Sequence, residues 1–122
     1  MPVKPAHILV VDDNATNRLL LVKTVEAFGA TAETAENGRE ALDRLAGTRF
    51  DLVFMDIAMP VLDGVEATRL AREGGIVVPI VAVTAHYGQG DFDELGAVGF
   101  DGLIPKPFDL NAVFERLQSV TA

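Results

Sequence analysis

The sequence contains no cysteine and no tryptophan. The absence of cysteine excludes disulfide bonds, thiol chemistry and zinc–thiolate sites. Basic residues are also few, since ten Lys and Arg stand against eighteen Asp and Glu, for a formal net charge of −8. A surface this acidic repels phosphate backbones and anionic lipids, so we expect neither nucleic acid nor a membrane as a direct partner.

Long hydrophobic runs are missing as well. The longest apolar stretch, residues 76–85, is interrupted by Pro79 and is far too short to span a bilayer. The first residues, MPVKPA, lack the apolar core of a signal peptide. We therefore expect a cytoplasmic protein. Because 122 residues suffice for one core, we also expect one domain over residues 7–120, preceded by a tail over residues 1–6.

Short apolar runs and helical patterns alternate five times along the chain. The predicted strands are residues 7–11, 31–34, 52–56, 79–84 and 102–104. The predicted helices are residues 15–28, 39–46, 64–73 and 91–98, and a last helix that Asp109 caps. Apolar residues at helical spacing, among them Leu20 and Leu110, are expected to face the core. This alternation predicts an α/β fold in which helices cover both faces of a doubly wound parallel sheet.

Polar side chains follow several of these strands. Asp12 and Asp13 follow the first strand. Asp56 ends the third strand, Thr84 ends the fourth, and Lys106 comes just after the fifth. The carboxyl ends of parallel strands meet at one edge of the sheet, so we expect these side chains to lie together. Three carboxylates in one place need a cation, and their hard oxygen ligands suit Mg²⁺. A carboxylate nucleophile, a metal, a lysine and a hydroxyl together indicate phosphoryl transfer to an aspartate.

Four motifs carry a family resemblance: VVDDN at residues 10–14, FMDIAMPVLDG at 54–64, VAVTAH at 81–86 and IPKPF at 104–108. In order and spacing they resemble the receiver domain of two-component response regulators, which has a CheY-like, flavodoxin-like fold. The resemblance covers essentially the whole chain and implies five parallel strands in the order 2-1-3-4-5 with five helices. The motifs are also similar to receivers of hybrid sensor histidine kinases, so they fit both a free-standing regulator and a piece of such a kinase.

The resemblance implies roles for individual residues. Asp56 would be the phosphoacceptor, taking a phosphoryl group from a sensor histidine kinase or a histidine phosphotransfer protein. Asp13 would ligate Mg²⁺ directly and Asp12 mainly through water, with Asp56 and the backbone carbonyl of Ala58 as further ligands. Lys106 would contact a phosphoryl oxygen and, before phosphorylation, pair with Asp56. The bond between this lysine and the following proline is commonly cis in such domains.

The resemblance also implies how the domain switches and resets. Thr84 would swing toward the phosphoryl group, and Leu103 stands where receivers often carry an aromatic switch residue. The face over residues 88–122 would carry the signal to a downstream protein, and its glycines predict a surface that is mobile or adapts to a partner. Ala58 and His86 would flank the path of the water that attacks the phosphoaspartate. Because Ala58 has no polar side chain, hydrolysis would depend on His86 or on an external phosphatase.

Three other functions compete with this prediction. A pseudo-receiver that acts only as a protein-interaction module would lack the phosphoacceptor chemistry for which this chain has a complete residue set. A hydrolase of the haloacid dehalogenase type needs an aspartate two residues after its nucleophile, where this chain has Ala58. A nucleotide-binding domain needs a glycine-rich loop after the first strand, which is absent. The prediction is therefore a signalling switch that is not an enzyme, beyond catalysing its own phosphorylation and dephosphorylation.

Overall fold

The structure is a computed structural model that describes residues 5–85, 91–107 and 109–120. Its strands are β1 (His7–Val11), β2 (Thr31–Ala35), β3 (Leu52–Asp56), β4 (Ile80–Thr84) and β5 (Gly102–Pro105). Its helices are α1 (Ala15–Phe28), α2 (Gly38–Gly47), α3 (Gly64–Glu73), α4 (Asp91–Val98) and α5 (Leu110–Ser119). All strand pairs are parallel, in the order β2-β1-β3-β4-β5. The predicted doubly wound α/β fold and its strand order are confirmed.

Several boundaries differ from the prediction by one residue. β2 ends at Ala35, and α2 is longer by one residue at each end. β4 begins at Ile80 and not at Pro79, whose carbonyl accepts a hydrogen bond from the Val53 N–H at 2.9 Å. β5 includes Pro105, which an edge strand tolerates because its missing N–H costs no ladder bond on the open side.

Side-chain caps fix where the helices begin. The cap residues are Asn14, Asn37, Asp63 and Asp109, and the side-chain oxygen of each accepts a hydrogen bond from a backbone N–H two or three residues on, at 2.8–3.0 Å. Such caps satisfy N–H groups that have no partner within the helix. Because each of these caps lies in the segment that follows a strand, the four capped helices begin near the carboxyl edge of the sheet.

Two apolar clusters fill the space between the sheet and its helices. Alternate strand residues such as Ile8, Val10 and Phe54 pack toward α1 and α5. Their neighbours, such as Leu9 and Met55, pack toward α2, α3 and α4. The strands β1, β3 and β4 are therefore buried on both faces, which explains why they are almost continuously apolar.

Two helix residues do not face the core as predicted, since Leu20 is 45% exposed and Leu110 is 47% exposed. The buried side of α1 is formed by Leu21 and its neighbours one turn on, so the adjacent Leu20 points outward. Leu110 is the first residue of α5, and the buried side of that helix begins at Val113.

None of the helices within the described ranges is both long enough and apolar enough to cross a membrane.

Candidate functional site

The strand register brings the predicted site residues to one level of the sheet. Val11 of β1 pairs with Met55 of β3, so the residues that follow them, Asp12 and Asp56, lie next to each other. Across β3 and β4, Thr84 lies one residue beyond the level of Asp56. Thr84 in turn pairs with the residue before Lys106 across β4 and β5. The predicted meeting of these strand ends is therefore present.

Three carboxylates form a compact cluster at this edge. Asp12, Asp13 and Asp56 each present one oxygen, and these oxygens all lie within 4.8 Å of one another. Asp12 is fully buried and Asp56 is only 5% exposed, whereas Asp13 is exposed to solvent. Two of the three acids thus lie away from water, where repulsion between like charges is poorly screened.

Lys106 lies between two of these acids. Its Nζ is 3.1 Å from Oδ2 of Asp12 and 3.4 Å from Oδ1 of Asp56. The pairing with Asp56 matches the expectation, and the closer contact with Asp12 was not predicted. The lysine backbone N–H donates to the carbonyl of Thr84 at 2.9 Å, which fixes the loop after β5 against β4. The peptide bond between Lys106 and Pro107 is cis, as the resemblance implies.

The electrostatic environment of Asp56 opposes its ionisation. Burial, and next the neighbouring Asp12 carboxylate, raise the pKa of Asp56 from 3.8 to about 6, against the opposing effect of Lys106. Asp13 adds a smaller contribution in the same direction as Asp12. Because a negative charge on Asp56 is unfavourable in this environment, a cation bound beside it would stabilise the ionised carboxylate.

The donor set fits a hard divalent cation. Oδ2 of Asp12 is buried and lies 3.1 Å from the Lys106 ammonium, but it accepts no hydrogen bond within the part of the chain that the structure describes. Carboxylate oxygens are the ligands that Mg²⁺ and Ca²⁺ prefer. In the same described part, the exposed Ala58 carries a backbone carbonyl that accepts no hydrogen bond. These residues can hold a metal ion.

The loop from β3 to α3 is fixed by close backbone contacts that the sequence interpretation missed. The Gly64 N–H donates to the carbonyl of Ile57 at 2.9 Å, and a Cβ on Gly64 would overlap the carbonyl oxygen of Asp56. On the other side, the Gly38 N–H donates to the carbonyl of Leu62 at 2.8 Å. Asp63 and Gly64 form an Asp-Gly pair of the kind that marks turns and helix starts, and this pair is the sequence signal for the first contact.

The remaining predicted residues have different positions. Thr84 is buried, at 5% exposure, at the end of β4. Leu103 is half-buried in β5 and packs against the core cluster that includes Leu95 of α4. His86 lies outside the described residues, so its predicted part in dephosphorylation stays a prediction.

Comparison with known proteins decides the family. The family model for the response regulator receiver domain matches residues 8–118. The chain belongs to the response regulator receiver family. This receiver is 38% identical to the probable histidine kinase 5 of Oryza sativa subsp. japonica, over 91% of this chain and 11% of that protein. It is also 38% identical to the response regulator MprA of Mycolicibacterium vanbaalenii, over 95% of this chain and 50% of that protein. The chain therefore spans about a tenth of the first relative and about half of the second.

Solved receiver structures share the fold closely. The chemotaxis protein CheY4 of Vibrio cholerae superposes with a TM-score of 0.88 at 34% identity, covering 96% of this chain and 99% of that one. The receiver domain of the sensor histidine kinase PA1611 of Pseudomonas aeruginosa superposes with a TM-score of 0.86 at 32% identity, covering 97% and 98%. A magnesium ion is coordinated in the active-site cleft of that second domain.

Proposed function

We propose that this receiver accepts a phosphoryl group on Asp56 and that Mg²⁺ is its metal. The observation that carries the proposal is the cluster of Asp56 with two further acids and Lys106 at one edge of the sheet. This arrangement gives a nucleophile, a metal-binding set and a fixed cation within one small volume. Such a combination is suited to phosphoryl transfer, in which positioning and charge neutralisation supply most of the catalysis.

In the proposed reaction, a carboxylate oxygen of Asp56 attacks the phosphorus of a phosphohistidine. The O–P bond forms as the P–N bond breaks, and the imidazole leaves with the bonding electrons and takes up a proton. Lys106, whose Nζ already lies 3.4 Å from the Asp56 carboxylate, holds a phosphoryl oxygen. Asp12, Asp13, Asp56 and the Ala58 carbonyl would hold Mg²⁺, which would neutralise charge on the carboxylates and the transferred group.

Exposed apolar side chains support a protein as the phosphodonor. Four large ones lie in segments that leave the carboxyl edge of the sheet: Leu19, Leu20, Val61 and Leu110. They are distributed over α1, the loop after β3 and the start of α5. A sensor histidine kinase or a histidine phosphotransfer protein can cover such residues while it presents its histidine to Asp56.

The switching mechanism that fits this geometry runs from Thr84 to α4. The phosphoryl group binds one arrangement of the site more tightly than the other, so phosphorylation shifts an existing equilibrium. Thr84 moves toward the phosphoryl group, and Leu103, which packs in the same cluster as Leu95 of α4, changes its packing. A downstream protein then reads the surface within residues 88–122.

The proposal is tested by incubating the chain with a small acyl phosphate and Mg²⁺ and measuring its intact mass. We expect one added phosphoryl group that is stable in acid and labile in base, as an acyl phosphate is. Omitting Mg²⁺ or replacing Asp56 by Asn should abolish the addition. Phosphorylation that persists in Asp56→Asn, or no phosphorylation of the wild-type chain by any donor including phosphohistidine proteins, would refute the proposal.

A further inference from the structure

Arg18 lies in α1 beside the acidic cluster and has no role in the chemistry described above. Its side chain is only 17% exposed, so its guanidinium needs polar partners within the protein. Nη1 donates to the backbone carbonyl of Asp12 at 2.7 Å, and Nη2 donates to Oε1 of Glu36 at 3.3 Å. The guanidinium thus connects the end of β1 to the segment between β2 and α2.

The carbonyl that Arg18 holds belongs to the peptide bond between Asp12 and Asp13. This bond is planar, so fixing its oxygen fixes the orientation at which the chain enters Asp13. Asp12 has other restraints, since its N–H donates to the carbonyl of Ala35 at 3.1 Å and its Oδ1 accepts from the Asn14 N–H at 2.9 Å.

The side chain of Asp13 lacks such restraints. It is exposed, and within residues 5–85, 91–107 and 109–120 its carboxylate forms no hydrogen bond or ion pair. Its carboxylate nevertheless lies within 4.8 Å of those of Asp12 and Asp56. The direction of this carboxylate therefore depends on its backbone, one end of which Arg18 holds.

We propose that Arg18 is a positioning residue for the metal site, which holds the peptide between Asp12 and Asp13 so that Asp13 faces the cation. This inference rests on the proposed Mg²⁺ site. It assigns a function to a residue whose guanidinium contacts the Asp12 carbonyl and Glu36 and none of the proposed metal-ligand side chains. Groups that orient metal ligands commonly change metal affinity by an order of magnitude or more when they are lost.

The sign of the effect separates positioning from simple charge. A cation beside a metal site repels a divalent ion, so removal of Arg18 as a mere charge would strengthen Mg²⁺ binding. Removal of a positioning group weakens binding instead, because the Asp13 carboxylate must then be ordered by the metal itself. The two explanations therefore predict opposite changes in the Mg²⁺ affinity of the Arg18 variant.

The test is the Mg²⁺ dissociation constant, measured by titration calorimetry at fixed ionic strength on the whole chain. For Arg18→Met, which keeps the apolar stem, we expect binding about tenfold weaker than in the wild type. Arg18→Lys should recover part of the loss, since an ammonium can reach the carbonyl but cannot also bridge to Glu36. Lys23→Met, which removes a charge from an exposed position of the same helix, is the matched control and should bind as the wild type does.

A metal-free measurement provides the second readout. Hydrogen exchange at the Asn14 amide, which belongs to the peptide bond that follows Asp13 and therefore reports the order of the Asp13 backbone, should be faster in Arg18→Met than in Lys23→Met. Unchanged or tighter Mg²⁺ binding by Arg18→Met, or unchanged exchange at this amide, would overturn the inference while leaving the proposed function intact. If the wild-type chain binds no Mg²⁺, the proposed function fails, and so does the inference that rests on it.

Discussion

Replacing Asp56 by Asn should stabilise the metal-free protein, although it removes the proposed phosphoacceptor. Asp56 is 5% exposed and lies against two other acids, and this environment raises its pKa from 3.8 to about 6. Asparagine has nearly the same shape, carries no charge, and its oxygen can still accept a hydrogen bond from Lys106. The substitution thus removes an unfavourable charge without leaving a cavity.

The magnitude follows from the pKa of Asp56. The gap between 3.8 and about 6 corresponds to about 3 kcal/mol of unfavourable free energy when the carboxylate is charged. Because the pKa is higher in the folded than in the unfolded state, the folded state binds more protons between these two values. Stability of the wild type therefore falls as the pH rises through this window. The gain from Asp56→Asn should be absent below the unfolded-state pKa and should reach about 2–3 kcal/mol above pH 6.

The assay is urea denaturation in EDTA at several pH values from about 4 to about 8, comparing the free energies of unfolding. Asp43→Asn is the matched control, because it removes one negative charge from an exposed position of α2 and should change stability by less than about 0.5 kcal/mol. Added Mg²⁺ should stabilise the wild type and reduce the difference in free energy of unfolding between it and Asp56→Asn. A gain for Asp56→Asn that does not depend on pH, or that equals the control, would refute the reasoning.

Three further predictions concern Thr68, the glycines 64 and 47, and Ala58. Thr68 is fully buried and its hydroxyl has no partner within the described residues, so Thr68→Val should raise the free energy of unfolding by about 1 kcal/mol in urea denaturation; a loss of stability would show that the hydroxyl is hydrogen-bonded. Gly64→Ala should lower the free energy of unfolding by at least about 2 kcal/mol, because the new Cβ overlaps the Asp56 carbonyl oxygen. Gly47→Ala, which meets nothing within 4 Å in α2, should instead add up to about 1 kcal/mol, and equal responses of the two variants would contradict the steric argument. Ala58→Asn places a polar group beside the proposed phosphoacceptor and should change the lifetime of the phosphorylated chain, measured as its decay in Mg²⁺; unchanged decay would count against a role for this position.

The order of the elements, and most of their bounds to within one residue, could be predicted because local signals agree with the fold. Continuous apolar strands such as Leu52–Asp56 are typical of a sheet covered on both faces. Asn14 and Asp63 stand directly before helical patterns and do cap those helices. Since every strand is followed by a helix, the strand ends had to meet at one edge, and the acidic cluster was predictable from that alone.

Features that depend on helix orientation could not be predicted. Leu20 and Leu21 are adjacent and equally apolar, and only the packing of α1 on the sheet decides that Leu21 is buried. The same packing turns Arg18 toward Asp12 and leaves Lys23 exposed, although both are basic residues of one helix.

The distances between groups at the site also could not be predicted from the sequence. The resemblance implied that Lys106 pairs with Asp56, but its shorter distance to Asp12 depends on the geometry of the strand ends. The close approach of Gly64 to the Asp56 carbonyl could not be predicted either, because that contact joins backbone atoms of a strand and a helix.

The central claim is that Asp56 itself becomes phosphorylated, and chemical trapping tests it most directly. The chain is phosphorylated by a phosphohistidine protein in Mg²⁺, reduced with borohydride and sequenced by tandem mass spectrometry. Borohydride converts an aspartyl phosphate to homoserine, so the account predicts homoserine at position 56 and at no other aspartate. Homoserine at Asp12 or Asp13, or none in a chain that carries a phosphoryl group, would contradict the assignment.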